Sequence, residues 1–494
     1  MTDSPRRTIG GATYTRRDML RLSAAAVAGT SLLQACRQEI TSPGLPPVPS
    51  LLPGETLIEP ARISSVGGLL ETTLSTSTAP LSLGGKASLP GAYSYNGAIP
   101  GPTLVVKAGD TLRVHLRNTL MVPTNLHFNG LHVSPADKGD NPFTVVAPGT
   151  TFDYEVKIPS NHPGGVYTYF ACVPGSSYEQ ISRGLAGMIV IESGHDQIDT
   201  FTAMRKRTLG LSAIYQGVSG DVTTPSFVAD ALTGIAPIGF PTNFVNGQLL
   251  PTITMHPGEA QYWRLANLSA DAYYVVRLDG CQLSVIAEDG HPLTAPVSTS
   301  QLELTPGKRY EIVVTAPASG VYDFRTLGYS LTASERFQAC SLASVVVGGD
   351  SVRTLAIPAA IAPMKDLSTA NPARYRFATV ATDALSGGIT IGCNACNAAS
   401  TAVQPKLGTV EEWTVTNATG NDHVFRMQTF PVQVTKVNGD TVVSLSYVDT
   451  IKVPKQNAVT FRVSFDDFLG KTMYGAAIAS QRDAGAYSTI EVVA

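Results

Sequence analysis

Lys107-Ala108-Gly109-Asp110-Thr111-Leu112-Arg113-Val114-His115-Leu116-Arg117-Asn118 organises this chain, because the same pattern occurs three times. The second copy is His256-Pro257-Gly258-Glu259-Ala260-Gln261-Tyr262-Trp263-Arg264-Leu265-Ala266-Asn267, and the third is Lys406-Leu407-Gly408-Thr409-Val410-Glu411-Glu412-Trp413-Thr414-Val415-Thr416-Asn417. Their glycines fall at 109, 258 and 408, a period of 149 and then 150 residues. Solenoid repeats have periods of roughly 20–50 residues, so one this long marks duplicated domains. A second element follows in each unit. Pro148-Gly149 precedes Phe152-Asp153-Tyr154-Glu155-Val156-Lys157-Ile158, Pro306-Gly307 precedes Tyr310-Glu311-Ile312-Val313-Val314, and Pro454 precedes Val459-Thr460-Phe461-Arg462-Val463-Ser464-Phe465. The first and third alternate apolar and polar residues, as a strand does with one face on a core and one in water. Each unit is therefore predicted to be a Greek-key β-sandwich, giving an all-β chain with domains at 57–195, 200–352 and 353–494.

The bulk composition agrees. A length of 494 residues suits about three domains of ordinary size. With 45 Gly, 33 Pro and only 15% charged residues, the chain favours short strands and turns over long helices. A net charge of −3 leaves no basic footprint, which excludes nucleic acid as an expected partner.

Residues 1–36 read as a targeting segment. Thr15-Arg16-Arg17-Asp18-Met19-Leu20-Arg21 resembles a twin-arginine export signal, with Arg16 and Arg17 as the pair, and an apolar stretch follows from Leu22 to Ala28. Leu33-Gln34-Ala35-Cys36 resembles a lipobox, with Cys36 as the acylated residue, although Gln34 is larger than such a motif usually carries. The alternative is an uncleaved anchor, for which the apolar stretch is short. Residues 37–56, rich in proline, read as an extended linker. The expected location is the periplasm or the outer face of the membrane, with the lipid on Cys36 as the membrane contact. No later segment has the length and apolarity of a membrane span.

Beyond Cys36 stand five cysteines, an odd number. Cys281 and Cys340 fall in one predicted domain and are a candidate disulfide. Cys393 and Cys396 enclose two residues and read as a local disulfide, with redox or zinc chemistry as the alternative. Cys172 is then left as a free thiol.

Asn96-Gly97-Ala98-Ile99-Pro100-Gly101-Pro102-Thr103, Thr124-Asn125-Leu126-His127-Phe128-Asn129-Gly130-Leu131-His132-Val133-Ser134-Pro135, Gly139-Asp140-Asn141, Gly184-Leu185-Ala186-Gly187-Met188 and Asp422-His423-Val424-Phe425 together resemble the multicopper oxidase superfamily. That resemblance implies three cupredoxin-like domains. It also implies four metal-binding stretches, supplying ten histidines and one cysteine to a blue copper site and to a trinuclear cluster between domains 1 and 3. Copper needs imidazoles and a soft thiolate for this chemistry. The whole chain holds 8 histidines.

Position by position, the resemblance implies that the ligands are gone. In the first stretch His127 remains and Asn129 replaces its partner. In the second, Phe170 and Cys172 stand at the two histidine positions. In the third, His423 remains while Arg426 and Gln428 replace the others. In the fourth, Gly475, Ala476, Ala477, Gln481 and Ala486 replace every ligand, the electron-transfer cysteine included. His127 belongs to the cluster and His423 to the blue site, so the two survivors are not expected to share an ion. Arg426 is expected to face His127, where its guanidinium would substitute for the metal's charge and bridge domains 1 and 3. His115, His132, His162, His195, His256 and His291 lie outside all four stretches and read as structural.

The expected function is that of a non-catalytic envelope protein without cofactor that binds a protein partner. This resembles a copper-free, twin-arginine-exported member of the superfamily linked to cell division. The competing reading is a diverged oxidoreductase or metal-handling protein with one unusual ion, using Cys172 or the Cys393/Cys396 pair. A third is a subunit of a larger membrane assembly.

Overall fold

The computed structural model describes residues 7–9, 12–14, 54–78, 81–83, 87–216, 222–223, 241–331, 336–382, 388–392 and 403–494. Arg16, Arg17, Cys36, Cys393 and Cys396 lie outside them. The repeat strand takes the same place in three successive sandwiches. Thr111–Arg117 runs parallel to Leu69–Ser77 and antiparallel to Thr151–Lys157. Ala260–Asn267 stands likewise between Arg205–Gln216 and Arg309–Thr315. Thr409–Asn417 stands between Arg374–Thr382 and Ala458–Phe465. Each copy is entered through its glycine, with φ of 91° at Gly109, 80° at Gly258 and 78° at Gly408, a left-handed conformation that side chains resist.

The asparagine closing each copy explains why the pattern ends on that residue. Asn118 donates through Nδ2 to Val122 O and Val146 O and accepts at Oδ1 from Leu120 N. Asn267 donates to Ala272 O and Leu304 O and accepts from Ser269 N. Asn417 donates to Asn421 O and Val453 O and accepts from Thr419 N. All three are buried. One amide satisfies three backbone groups where the strand leaves its sheet, a task no apolar side chain can do.

Facing each repeat-bearing sheet is a second sheet. In the first sandwich its order is His127–Asn129, Gly165–Phe170, Ala186–Ile191, Thr103–Val106 and Arg62–Ser64. In the third it is Thr450–Val453, His423–Met427, Gly470–Ala476 and Tyr487–Val492. Neighbours distant in sequence lie side by side, as a Greek key requires. Leu112, Val114 and Leu116 fill the first core, Trp263 and Leu265 the second, and Trp413 and Val415 the third.

Apolar alternation is clear in the first and third copies and lost in the middle one for a specific reason. The outer face of Thr111–Arg117 carries Arg113 and His115, paired with Glu71, Glu155 and Asp153 at the surface. The outer face of Ala260–Asn267 is instead roofed by the connection from the first sandwich, whose Phe201 and Met204 pack on Tyr262. Beneath the same roof His195 Nε2 lies 2.6 Å from Glu311 Oε2, and Arg264 NH2 lies 2.5 Å from Asp196 Oδ1, all buried. The chain before the first sandwich also crosses to the second, where Leu57 joins the core.

The expected Cys281–Cys340 disulfide is not formed; both residues are free thiols. Cys340 opens the strand Cys340–Val347, two strands away from Tyr274–Leu278, after whose end Cys281 sits in a turn. Two strand spacings are about 9.6 Å, beyond the roughly 7 Å that a disulfide spans. Cys340 Sγ instead accepts a hydrogen bond from Asn243. No helix among the described residues is long and apolar enough to cross a membrane.

Candidate functional site at the junction of the three sandwiches

The edge strand His127–Asn129 pairs with Gly165–Phe170 so that His127 lies opposite Phe170 and Asn129 opposite Thr168. His127 and Phe170 meet edge to face at 5.5 Å, and Asn129 Nδ2 donates to Thr168 Oγ1 at 2.8 Å. His127 Nδ1 lies 2.8 Å from Asp140 Oδ1, which also accepts from Phe128 N. A carboxylate behind one ring nitrogen is how a protein orients an imidazole toward a ligand at the other. A guanidinium lines the space beside it. His127 and Arg426 line one small cavity of about 10 Å³, with Gly130, Gln428 and Asp449. That is room for about one water.

Cys172 is buried, and burial pushes its thiol up. Its neighbour is Gln428, whose Nε2 lies 4.0 Å from the sulfur. The structure thus brings His127, Asn129, Phe170, Cys172, Arg426 and Gln428 to one place between the first and third sandwiches.

His423 is elsewhere, in other company. Its Nδ1 lies 3.2 Å from Gln481 Oε1 and its Nε2 lies 2.8 Å from Thr419 Oγ1. An amide oxygen only accepts, so Nδ1 carries the proton and Nε2 accepts from the threonine hydroxyl. Burial pushes the His423 ring down, in keeping with a neutral imidazole. Strand register sets Ala476 against Phe425 and Gly475 against Arg426, while Ala477 and Ala486 are buried close by. The positions that the resemblance assigns to a blue site therefore cluster, but the only ring among them has both nitrogens engaged. Among the described residues, no three His, Cys, Asp or Glu side chains converge as a metal ion would require.

Arg426 does not itself bridge the sandwiches, contrary to the sequence-based expectation. Its NH2 donates to Thr450 Oγ1 at 2.8 Å and its Nε lies 3.8 Å from Asp449 Oδ1, both within its own sandwich. The bridge is Arg309 of the second sandwich. Arg309 Nε donates to Val166 O of the first at 3.1 Å, its NH2 is paired with Asp449 of the third, and NH2 also donates to Asp289 O at 3.0 Å. Its guanidinium stands 5.7 Å from the Tyr167 ring. Asp449, though pushed up by burial, is brought down to about 2 by Arg309, then Arg426, and hydrogen bonds. Arg426 is pushed down to about 10, first by burial and then, against the pull of Asp449, by Arg309. It remains charged at neutral pH.

Two glycines make this close approach possible. A Cβ on Gly130 would lie 2.3 Å from Arg309 NH2, and one on Gly307 would lie 2.3 Å from Arg426 NH2. Gly130 sits in the motif that begins before His127, and Gly307 stands just ahead of the second repeated strand, but neither position in sequence showed what it would pack against. Nothing local marked Arg309 or Asp449.

Two further contacts join the first and third sandwiches. Asp483 accepts from Tyr178 N at 2.6 Å and from Ser177 Oγ at 2.5 Å, at the start of the short helix Ser177–Ser182. His132 reaches Thr429 O through Nδ1 at 2.6 Å and Asp467 Oδ2 through Nε2 at 3.2 Å. His132 is thus structural, as expected, but at an interface.

Residues 85–196 and 216–349 each match a family model described as Multicopper oxidase. The multicopper oxidase MmcO of Mycobacterium tuberculosis is 27% identical over 347 residues, which span 65% of this chain and 65% of that relative's length. The cell division protein FtsP of Escherichia coli is 27% identical over 372 residues, covering 70% of this chain and 73% of FtsP. Among solved structures, a multicopper oxidase from Campylobacter jejuni, described as a metallo-oxidase, superposes with a TM-score of 0.78 at 23% identity. That superposition covers 89% of this chain and 96% of the other.

Proposed function

Since this chain belongs to the multicopper oxidase superfamily and shares its three cupredoxin-like domains, we propose that it is a copper-free member that catalyses no oxidation and works at the cell envelope by binding a protein partner. The observation that carries this reading is Arg426 lining the same cavity as His127. The residues present do not fit a copper cluster. A permanent cation stands among the replacements, and one imidazole with an amide and a phenyl ring is not the imidazole-rich donor set that copper chemistry needs. Support for a binding role comes from the similarity to FtsP, whose name places it in cell division. Export by the twin-arginine route and a lipid on Cys36 complete the proposal.

The competing reading is an oxidoreductase or metal-handling protein with one unusual ion. The oriented pair His127–Asp140 is the feature that favours it. Cys172 weakens it, because burial favours its thiol over the thiolate that binds metal. Metal analysis of the purified chain after copper loading and dialysis separates the two, together with oxygen uptake on a phenolic substrate. The proposal expects far less than one equivalent of copper and no uptake. Stoichiometric copper, or copper-dependent oxygen consumption, refutes it. For the partner, cross-linking in intact envelopes is expected to trap the chain in a defined complex; recovery as a lone monomer counts against the binding role.

A further inference from the structure

Between the second and third sandwiches lies a partly open cavity of about 160 Å³ that none of the remnant ligand positions lines. Val285, Val297 and Leu302 form one wall, and Val434, Leu445 and Val448 the other. At one end stand Glu288, Glu303, Lys308 and Lys452. An apolar cavity of roughly 150 Å³ holds a single benzene ring. Apolar walls with a few convergent polar groups are the usual form of a small-molecule site.

The polar end decides what kind of molecule fits. Lys308 Nζ has three N–H donors and three acceptors: Glu288 Oε1 at 2.5 Å, Asp289 Oδ2 at 2.9 Å and Thr450 O at 3.2 Å. Lys452 Nζ contacts Glu303 Oε1 at 2.9 Å and Oε2 at 3.0 Å and Asp422 Oδ2 at 3.1 Å, and lies 5.2 Å from the centre of the Tyr329 ring. Neither ammonium retains a free N–H for an anionic guest. Four carboxylates surround these two ammoniums, and Asp289 is further shared with Arg309. Each carboxylate oxygen accepts more than one hydrogen bond, so acceptor capacity remains. Glu303 is pushed up by its burial, with Lys452 opposing, as expected of a carboxylate that more positive charge would stabilise.

The geometry points to a binding site for a small arylalkylamine, its ring between the valine and leucine walls and its ammonium against Glu303 and Glu288. A guest carboxylate of the same shape meets like charge, and both ammoniums there are already engaged. A neutral alcohol gains the apolar contact and can donate one O–H to a carboxylate, but brings no charge to pair with it.

The test titrates 2-phenylethylamine, 2-phenylethanol and phenylacetate into the full chain at neutral pH, with affinity read by calorimetry. The amine is expected to bind about tenfold more tightly than the alcohol, the difference between an ammonium and a neutral donor facing the carboxylates, and the acid not at all. Glu303→Gln is expected to remove the preference for the amine and to leave the alcohol unchanged. Val442→Trp, in a half-buried loop lining the cavity, is expected to abolish binding of both. Equal or tighter binding of phenylacetate, binding by none of the three, or amine binding undiminished in Val442→Trp overturns the proposal. The three-ligand comparison needs no variant and stands even where a variant fails to fold.

Discussion

Replacing Asp449 with alanine removes the one carboxylate that both Arg309 and Arg426 face at the junction. All three side chains are buried, with Arg309 fully so. Arg309 would keep its backbone acceptors at Val166, Gly307 and Asp289 and the Asp289 carboxylate at 4.0 Å, and Arg426 would keep Thr450, but both cations would lose their closest counter-charge. Breaking a buried pair from one side costs about 3–5 kcal/mol, because the partner is left charged in a poor solvent. With Arg426 losing its one close carboxylate and Arg309 left only the more distant Asp289, a cost within that range is expected. The pH dependence supplies a second readout. Asp449 is held at about 2, below an ordinary aspartate, so its contribution is complete above about pH 4 and is lost as pH falls toward 2. Urea unfolding followed by the fluorescence of Trp263 and Trp413, both buried, measures the cost. The matched control is Asp466→Ala, which removes an exposed pair with Lys365 and is expected to change nothing measurable. If Asp449→Ala shifts stability by less than about 1 kcal/mol, or matches the control, Arg309–Asp449 is not what holds the sandwiches together.

Gly130→Ala places its Cβ against Arg309 at a φ of 87°, and is expected to cost well over the roughly 1–2 kcal/mol of left-handed strain alone. Gly149→Ala, at a φ of 75° with nothing within 4 Å of the new Cβ, isolates that strain, and equal urea midpoints for the two would sink the packing argument. Asn118→Ala, Asn267→Ala and Asn417→Ala each strip two backbone carbonyls of a donor and are expected to destabilise by a similar amount, about 2–4 kcal/mol; a change confined to one sandwich would deny the equivalence of the three. Burial holds His162 at about 4 and His291 at about 3, both below an ordinary histidine. Their contribution is complete above about pH 6.5 and falls as pH drops toward 4, by roughly 3 kcal/mol for His162. Unfolding midpoints measured from pH 7.5 down to 4.5 should decline, and His162→Gln should flatten the decline.

Much of the candidate site was readable residue by residue, because the residue type that a resemblance places at a site is a statement about one position. His127, Asn129, Arg426 and Gln428 could be named without coordinates, and the structure gathers them at one junction. Partners could not be named in this way. The disulfide drawn between Cys281 and Cys340 relied on their shared domain, whereas strand order sets them apart. Arg426 was assigned the bridge because it stood at a lost ligand position, yet its nearest carboxylate belongs to its own sandwich.

By itself the sequence determined the threefold repeat, and with it the strand, the entry glycine and the closing asparagine of each unit. These are local or periodic features, set by backbone conformation and by which side chains alternate into a core. It also supplied the resemblance from which residue types other than imidazole and thiolate were read at most of the copper-ligand positions. Only the tertiary structure decided what stands there now. Arg309 and Asp449 lie 140 residues apart in sequence, and Val166 is more distant still from either. No periodicity or motif reports which buried charges from three separate domains will meet, because that depends on how the finished sandwiches pack. At that junction the protein holds its domains together with a guanidinium and a carboxylate.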